Sequence, residues 1–468
     1  MSAVDLPAGE AIVVNNEGVS KTSAPNDSSS TSSEWRMPSV VAAICLSVFV
    51  ATASYSTGSG DVAAANVLSW QLTSAGDPIF RDTTYPPIDD HPGRDIWVIE
   101  RSDGQEVIGR SPGAVAAAIP AYALFGRETF SLIPGAVTAA LITALAVLLL
   151  ALTLRERLAP REAALGALVF ALGTPVWTVA ADGMWPHTIT IVGVCGMGWA
   201  ATRERWWLVG LFGGVVVWGR LHAAVIVAVF GLLLGWRRRD AGLTAVIGAS
   251  SGLMLLLQAA WTRWIYGDWN PMASYETDKF GEYAETHTLD VVNQLGFWVS
   301  PGRGLLVWTP VILLLVPSLL KRWTTLPEWS RALLLGGIAY TLLQGLLNRF
   351  SGGDAFYGYR LTLELLACAA PALAYAATSV GPAARRLLAP VLIFQALIIA
   401  AGAANQTLGS TTEEVWTHHA LFSVMVQQPY VLLGFAATGL AATYLACRIW
   451  AGTPQASLTD VPQAVESR

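Results

Sequence analysis

Charged side chains are what this sequence has least of. Asp, Glu, Lys and Arg together make up 13% of its 468 residues, against roughly a quarter in a soluble globular domain. A chain this poor in charge and 53% apolar is a membrane protein. Alternating segments of about ten residues, the mark of a membrane β-barrel, are also missing. Inside lipid every backbone group must find a partner within the protein, and a helical bundle is the arrangement that remains. Cysteine is scarce as well. Cys45, Cys195, Cys368 and Cys447 each sit in an apolar run, with no CxxC spacing and no histidine pair nearby; they read as small core residues, neither disulfides nor metal ligands. There is no Walker loop, Rossmann glycine pattern, zinc spacing, nucleophile elbow or internal repeat. The sequence therefore implies no cofactor and no nucleic-acid partner, and it does not indicate a divalent metal.

The apolar residues fall into about twelve runs of the length that crosses a hydrocarbon core, with eleven to thirteen compatible. They are residues 38–53, 133–154, 163–180, 188–201, 206–218, 221–236, 243–266, 304–320, 332–347, 361–378, 388–404 and 430–450. The predicted fold class is an all-α integral membrane bundle. Residues 1–36 are polar, nearly without aromatics, and predicted to be a disordered tail; the first run is expected to be a retained anchor. Residues 37–450 form the membrane domain, and 451–468 a short polar tail. Basic residues cluster in the short loops, at Arg155/Arg157/Arg161, Arg203/Arg205, Arg237–Arg239, Lys321/Arg322 and Arg385/Arg386. With twelve spans all of them share one side with both termini, which assigns that side to the cytoplasm.

The long loops then lie outside, at 54–131, 181–187, 267–303, 348–360 and 405–429. They hold five of the six histidines: His91, His187, His287, His418 and His419. The stretch from Ser54 to Gly126 is the most structured. It opens with Ser-Gly-Asp61, continues as a short helix over 61–76 lying in the interface, and passes through the proline-rich Tyr85-Pro-Pro-Ile-Asp-Asp-His91. It ends in Arg110-Ser-Pro-Gly-Ala-Val-Ala-Ala-Ala-Ile-Pro120, too short to span and too apolar for an ordinary loop.

Candidate chemistry collects on this face, each residue with a plainer alternative. Asp61 is placed to act as a general base at the membrane edge, or simply to cap the helix that follows. Asp89, Asp90 and His91 suit a sugar or a cation, or form a solvated turn. Ser300-Pro-Gly-Arg-Gly304 precedes a span whose N-terminus points outward. That geometry favours an anion, and Arg303 supplies a bidentate phosphate donor; the alternative is a helix-entry turn with arginine reaching lipid headgroups. Gly352-Gly-Asp-Ala-Phe-Tyr-Gly-Tyr-Arg360 repeats the pattern: Arg360 is a second phosphate candidate, Asp354 and Tyr357 are sugar or acceptor ligands, and Glu364 one turn on neutralises Arg360. Arg220, His222 and His187 are ionisable groups at or near membrane depth, where a functional role is the starting assumption.

These segments resemble the bacterial GT-C fold, the polytopic glycosyltransferases that use polyprenyl-phosphate sugars. Ser-Gly-Asp61 is similar to that class's catalytic acidic residue in the first external loop, and 110–120 to its proline-glycine segment. Ser300–Pro310 is similar to an SPGRGL-type run and Gly353–Arg360 to a GxxxYGxR-type run. Asp61 stands alone where many of these enzymes have an acidic pair, so Asp89 and Asp90 remain alternative bases. The resemblance implies inverting transfer of arabinofuranose or a hexose from a polyprenyl-phosphate donor to a glycan, lipid or protein acceptor. Asp61 would be the base; Arg303 and Arg360, with His187 and Arg220, would hold the donor phosphate; Asp89, Asp90, His91, Asp354, Tyr357 and His222 would meet sugar or acceptor. The competing expectation is a transporter or flippase of a lipid-linked sugar, with polar groups at mid-membrane on paired broken helices.

Overall fold

The computed structural model describes residues 28–55, 59–80, 97–101, 103–126, 128–275, 290–405 and 411–427, with isolated positions beyond. Asp89, Asp90, His91, His287 and nearly all of the expected span 430–450 lie outside the described residues.

The described chain is helical apart from one hairpin. Helix α1 spans Ser28–Thr52 and α2 Gly60–Ser74; strands β1 (Val98–Glu100) and β2 (Glu106–Ile108) follow, then α3, Pro112–Phe125. The bundle continues with α4 (Ile133–Arg155), α5 (Pro160–Leu172), α6 (Pro186–Thr202), α7 (Trp206–Gly219), α8 (Ala224–Arg238) and α9 (Ala241–Tyr266). It closes with α10 (Val291–Val299), α11 (Leu305–Trp308), α12 (Val311–Lys321), α13 (Glu328–Leu347), α14 (Leu363–Ala377), α15 (Pro382–Asn405) and α16 (Ala420–Gln427). Six of the described helices are long and apolar enough to cross a membrane, and four shorter apolar helices accompany them.

The long helices divide by environment. Helix α4 is 72% buried over its apolar window and runs through the bundle, whereas α9 is 17% buried and presents Leu253, Leu256 and Trp264 outward. Because lipid tails are as apolar as Leu, close backbone approach has to hold such helices together. Gly210, Gly213 and Gly214 supply it on α7: a Cβ on Gly210 would meet Ile247 and one on Gly214 Met254, both on α9.

Two expected spans are broken, at proline in each case. The run 163–180 stops at Leu172 and resumes as a π turn over Val176–Ala180 after Pro175, and the run 304–320 is split at Thr309-Pro310. Proline has no N–H to donate and clashes with the preceding turn. Backbone groups freed at such breaks must be satisfied within the protein. Gln395, fully buried on α15, serves both: its Nε2 donates to Gly173 O at 2.5 Å and its Oε1 accepts from Val311 N at 3.4 Å.

Within the segment 61–76, helix α2 is enclosed by protein. Val62 to Ser69 of α2 are all buried, against α3 and in the same apolar cluster as the hairpin. Small and apolar residues dominate the helix, and Asn66, Ser69 and Gln71 are buried along with them. The hairpin was not anticipated. Its turn carries Asp103-Gly104, with Gly104 at φ +77° and Asp103 Oδ1 accepting from Gln105 N, a sequence that favours tight hairpin turns. Gly109 N–H then donates to Trp97 O at 2.7 Å, which brings Trp97 and Arg110 side by side above α2.

Candidate active site

Asp61 stands in the first turn of α2. The helix is capped by Ser59, whose hydroxyl accepts the Asp61 N–H at 3.2 Å. The capping role open to Asp61 in the sequence is thus filled by its neighbour, and the carboxylate points elsewhere. Oδ1 accepts from Arg110 Nη2 at 2.6 Å and from Trp97 Nε1 at 3.0 Å; Oδ2 accepts from Arg360 Nη1 at 2.5 Å. The side chain remains a quarter exposed. Burial pushes the Asp61 carboxyl up, but the guanidinium groups of Arg110 and Arg360 outweigh it and hold the carboxyl well below the usual range.

Each partner is fixed from a different element. Ser111 Oγ donates to the Trp218 and Gly219 carbonyls at the end of α7, and the Arg110 backbone N–H donates to the Tyr266 hydroxyl at 3.1 Å. These contacts lock Arg110 at the entrance of α3, where it is 4% exposed. The Arg360 guanidinium lies 4.9 Å from the Trp185 ring and 5.2 Å from the Phe356 ring, a stacking that suits its planar fork.

A second cluster adjoins the first. His187 Nδ1 is 2.8 Å from Glu364 Oε1, which also accepts from Thr190 Oγ1 at 2.7 Å. Arg220 Nη1 lies 2.9 Å from His187 Nε2. The same Nη1 is 3.3 Å from Nδ1; Nδ1–H donates to the Glu364 carboxylate, which leaves Nε2 as the accepting nitrogen. His187 is within electrostatic range of Asp61, and Arg220 of Arg360. Arg220 occupies the break between α7 and α8 in extended backbone. His222, one residue beyond Leu221, stacks on Tyr340 at 5.5 Å and contacts Gln344 Nε2; it belongs to a polar chain on α13 and donates nothing toward Asp61 in this arrangement.

Other residues singled out from the sequence have structural partners. Arg303 is 2% exposed, and its guanidinium donates to the carbonyls of Ser351, Gly302, Phe356, Gly358 and Gly353 at 3.1–3.4 Å. It ties the turn before α11 to the loop that carries Arg360. Tyr357 is 1% exposed, donates to Ile398 O at 3.1 Å and stacks edge-on against Trp308. Asp354 Oδ1 accepts from Thr412 N and Oγ1, so it fastens the 411–419 segment to the same loop. That loop requires glycine at 358, where φ is +99° and a Cβ would stand 2.6 Å from Pro175 Cγ.

Sequence reasoning passed over Arg110, Trp97 and Asp182. Arg110 stood at the edge of a segment read for its prolines and alanines. Asp182, in the loop before α6, accepts from Ser54 N at 2.8 Å and fastens the end of α1; burial pushes its carboxyl up to about 7, offset in part by that N–H. A folded-state value above the free-chain value means that the fold favours the protonated acid. The stability is present at low pH and lost as pH rises through about 7. Asp182→Asn should therefore melt above wild type near about pH 8, with the gap closing toward about pH 4. A gap that is the same at both values in a melting series would contradict this.

The described bundle, with its acidic residue on a short helix directly after the first span, has the GT-C fold of polytopic glycosyltransferases. A crystal structure of ArnT from Cupriavidus metallidurans bound to undecaprenyl phosphate matches with a TM-score of 0.51 and 14% identity, over 88% of this chain and 74% of that one. The oligosaccharyltransferase of Archaeoglobus fulgidus in the apo form matches with a TM-score of 0.45 and 15% identity, over 89% of this chain and 55% of that one, just over half its length. No protein-family profile and no curated protein sequence matches the chain.

Proposed function

We propose that this chain is a membrane glycosyltransferase. On this reading it moves a sugar from a polyprenyl-phosphate donor to an acceptor hydroxyl, with Asp61 as general base. The observation that carries the reading is the charge arrangement. Three guanidinium groups, Arg110, Arg220 and Arg360, gather with two carboxylates, Asp61 and Glu364, which leaves one positive charge beside a partly open carboxylate. That balance suits a phosphodiester, which carries a single negative charge.

The proposed step uses these groups as follows. The acceptor oxygen attacks the anomeric carbon and its proton passes to Asp61. The bond from that carbon to the phosphate oxygen breaks, and the electron pair leaves with the phosphate. Direct displacement of this kind inverts the anomeric centre. The protonated Asp61 no longer carries charge, so the cluster rises to two positive charges as the departing polyprenyl phosphate approaches two negative ones. Arg360 and Arg220, the latter held by His187 and Glu364, stabilise the charge where it develops. Arg303, Asp354 and Tyr357 act behind them by fixing the loop that carries Arg360. Arabinofuranose and hexose donors both suit the cluster, as do glycan, lipid and protein acceptors.

The reading also sets the site on the external face of the plasma membrane, with the α2–hairpin end outside. Single cysteines at Asp103, in the hairpin turn, and at Ala241, at the start of α9, test it in intact cells. An impermeant maleimide should label the first and not the second, and the reverse would overturn the orientation. The activity itself is tested with purified protein and a panel of polyprenyl-phosphate sugars. Transfer to an acceptor with stoichiometric release of polyprenyl phosphate is the expected result. Intact donors throughout the panel would count against an enzyme.

A further inference from the structure

Arg110 shows an incomplete pairing that the proposed reaction does not by itself explain. A guanidinium offers Nε–H and Nη2–H as a planar fork that fits two oxygens of one oxyanion. In Arg110 one tine, Nη2, is taken by Asp61 Oδ1 at 2.6 Å. The other, Nε, is buried and makes no hydrogen bond, although the side chain is only 5% exposed. Arg360 contacts Asp61 through Nη1, and its Nε is likewise buried without an acceptor. A buried donor left unmade is unfavourable, and here two of them flank the same carboxylate. An oxyanion that engages Nε and Nη2 of Arg110 shares Nη2 with Asp61 and competes for it, whereas one on Arg360 Nε leaves the Nη1 contact with Asp61 untouched.

We propose that Arg110 is an exchange residue: it holds Asp61 until the donor binds and then moves to the donor phosphate, releasing the carboxylate for the acceptor proton. This rests on the transferase reading and names the residue through which donor binding reaches the base. Asp61 has both oxygens engaged by guanidinium groups, which makes it a poor proton acceptor. With the donor in place, Oδ1 keeps only the Trp97 indole N–H and is free to take a proton. Arg110 becomes a phosphate ligand that sequence reasoning did not assign, and the site activates neither acceptor nor water before the donor arrives.

Binding of a polyprenyl phosphate to the full chain in detergent or nanodiscs separates this from simpler schemes. Asp61→Asn removes the competing anion, so the lipid should bind about tenfold more tightly than to wild type, the scale of one charge-assisted pair. Relief of charge repulsion alone would produce the same shift, so the deciding variant is the double one. Arg110→Lys in the Asp61→Asn background keeps the positive charge and removes the planar fork. If Arg110 transfers to the phosphate through that fork, the gain should be lost; if the gain comes from charge alone, the double variant binds as Asp61→Asn does, and the exchange is overturned. Should Asp61→Asn fold poorly, Asp61→Ser leaves Arg110 equally unpaired and carries the same two expectations. A wild-type protein that binds no polyprenyl phosphate would overturn the transferase reading itself, and the exchange with it.

Discussion

Asp61→Asn should abolish sugar transfer while the protein still folds and still binds polyprenyl phosphate. The substitution keeps the shape and one accepting oxygen for Arg110, Trp97 and Arg360 but removes the group that takes the acceptor proton. Loss of a positioned general base lowers a rate by about 10²–10⁴-fold, and the amide has no basicity to substitute. The informative contrast is between transfer and binding in one preparation. A variant that retains full transfer would move the base elsewhere, with Asp89 and Asp90 the first positions to substitute. A variant that loses transfer together with lipid binding would make Asp61 a structural residue.

The second large effect separates two arginines that the sequence makes look equivalent. Arg303→Ala should destabilise the protein strongly, because it removes the donor for five carbonyls, four of them buried. Each orphaned carbonyl costs about 1–3 kcal/mol, and several together are comparable with the roughly 5–15 kcal/mol that holds a domain folded. The melting temperature should fall first, with activity following it. Arg303→Lys should not rescue, since an ammonium has no planar fork to reach carbonyls at both ends of the loop. Arg360→Ala should behave in the opposite way. It leaves a quarter-exposed carboxylate with Arg110 and Trp97 still in place, so melting changes little, while loss of one donor to the leaving phosphate lowers transfer by about 10²–10³-fold. Equal loss of stability in both variants would remove the distinction drawn here between a loop anchor and a site residue.

The bundle was legible in the sequence because apolar run length is a property of composition, and lipid permits few solutions. Asp61 was legible for a similar reason: a lone acid at the edge of a span is conspicuous. What the sequence could not disclose was pairing. Arg303 and Arg360 each follow a glycine-rich turn at a helix entrance, and nothing in their spacing says that one is sealed among carbonyls while the other meets Asp61 across 299 positions. Arg110 was missed because its partner is 49 positions away and its own segment is dominated by small residues. The hairpin over 98–108 was missed because two three-residue strands are shorter than any periodicity test resolves. The breaks at Pro175 and Pro310 were visible as residues; what makes them tolerable, the side chain of Gln395, lies on a helix more than eighty positions further on.

The central claim is that the face formed by Asp61, Arg110, Arg220 and Arg360 binds the phosphate of a lipid-linked sugar. A cryo-EM map of the protein with a polyprenyl phosphate present tests this most directly. The account predicts headgroup density against the Arg110, Arg220 and Arg360 guanidinium groups, with Asp61 beside it. Density at another place on the bundle, or an empty face with a polar path running through the helices, would contradict it and favour a transporter.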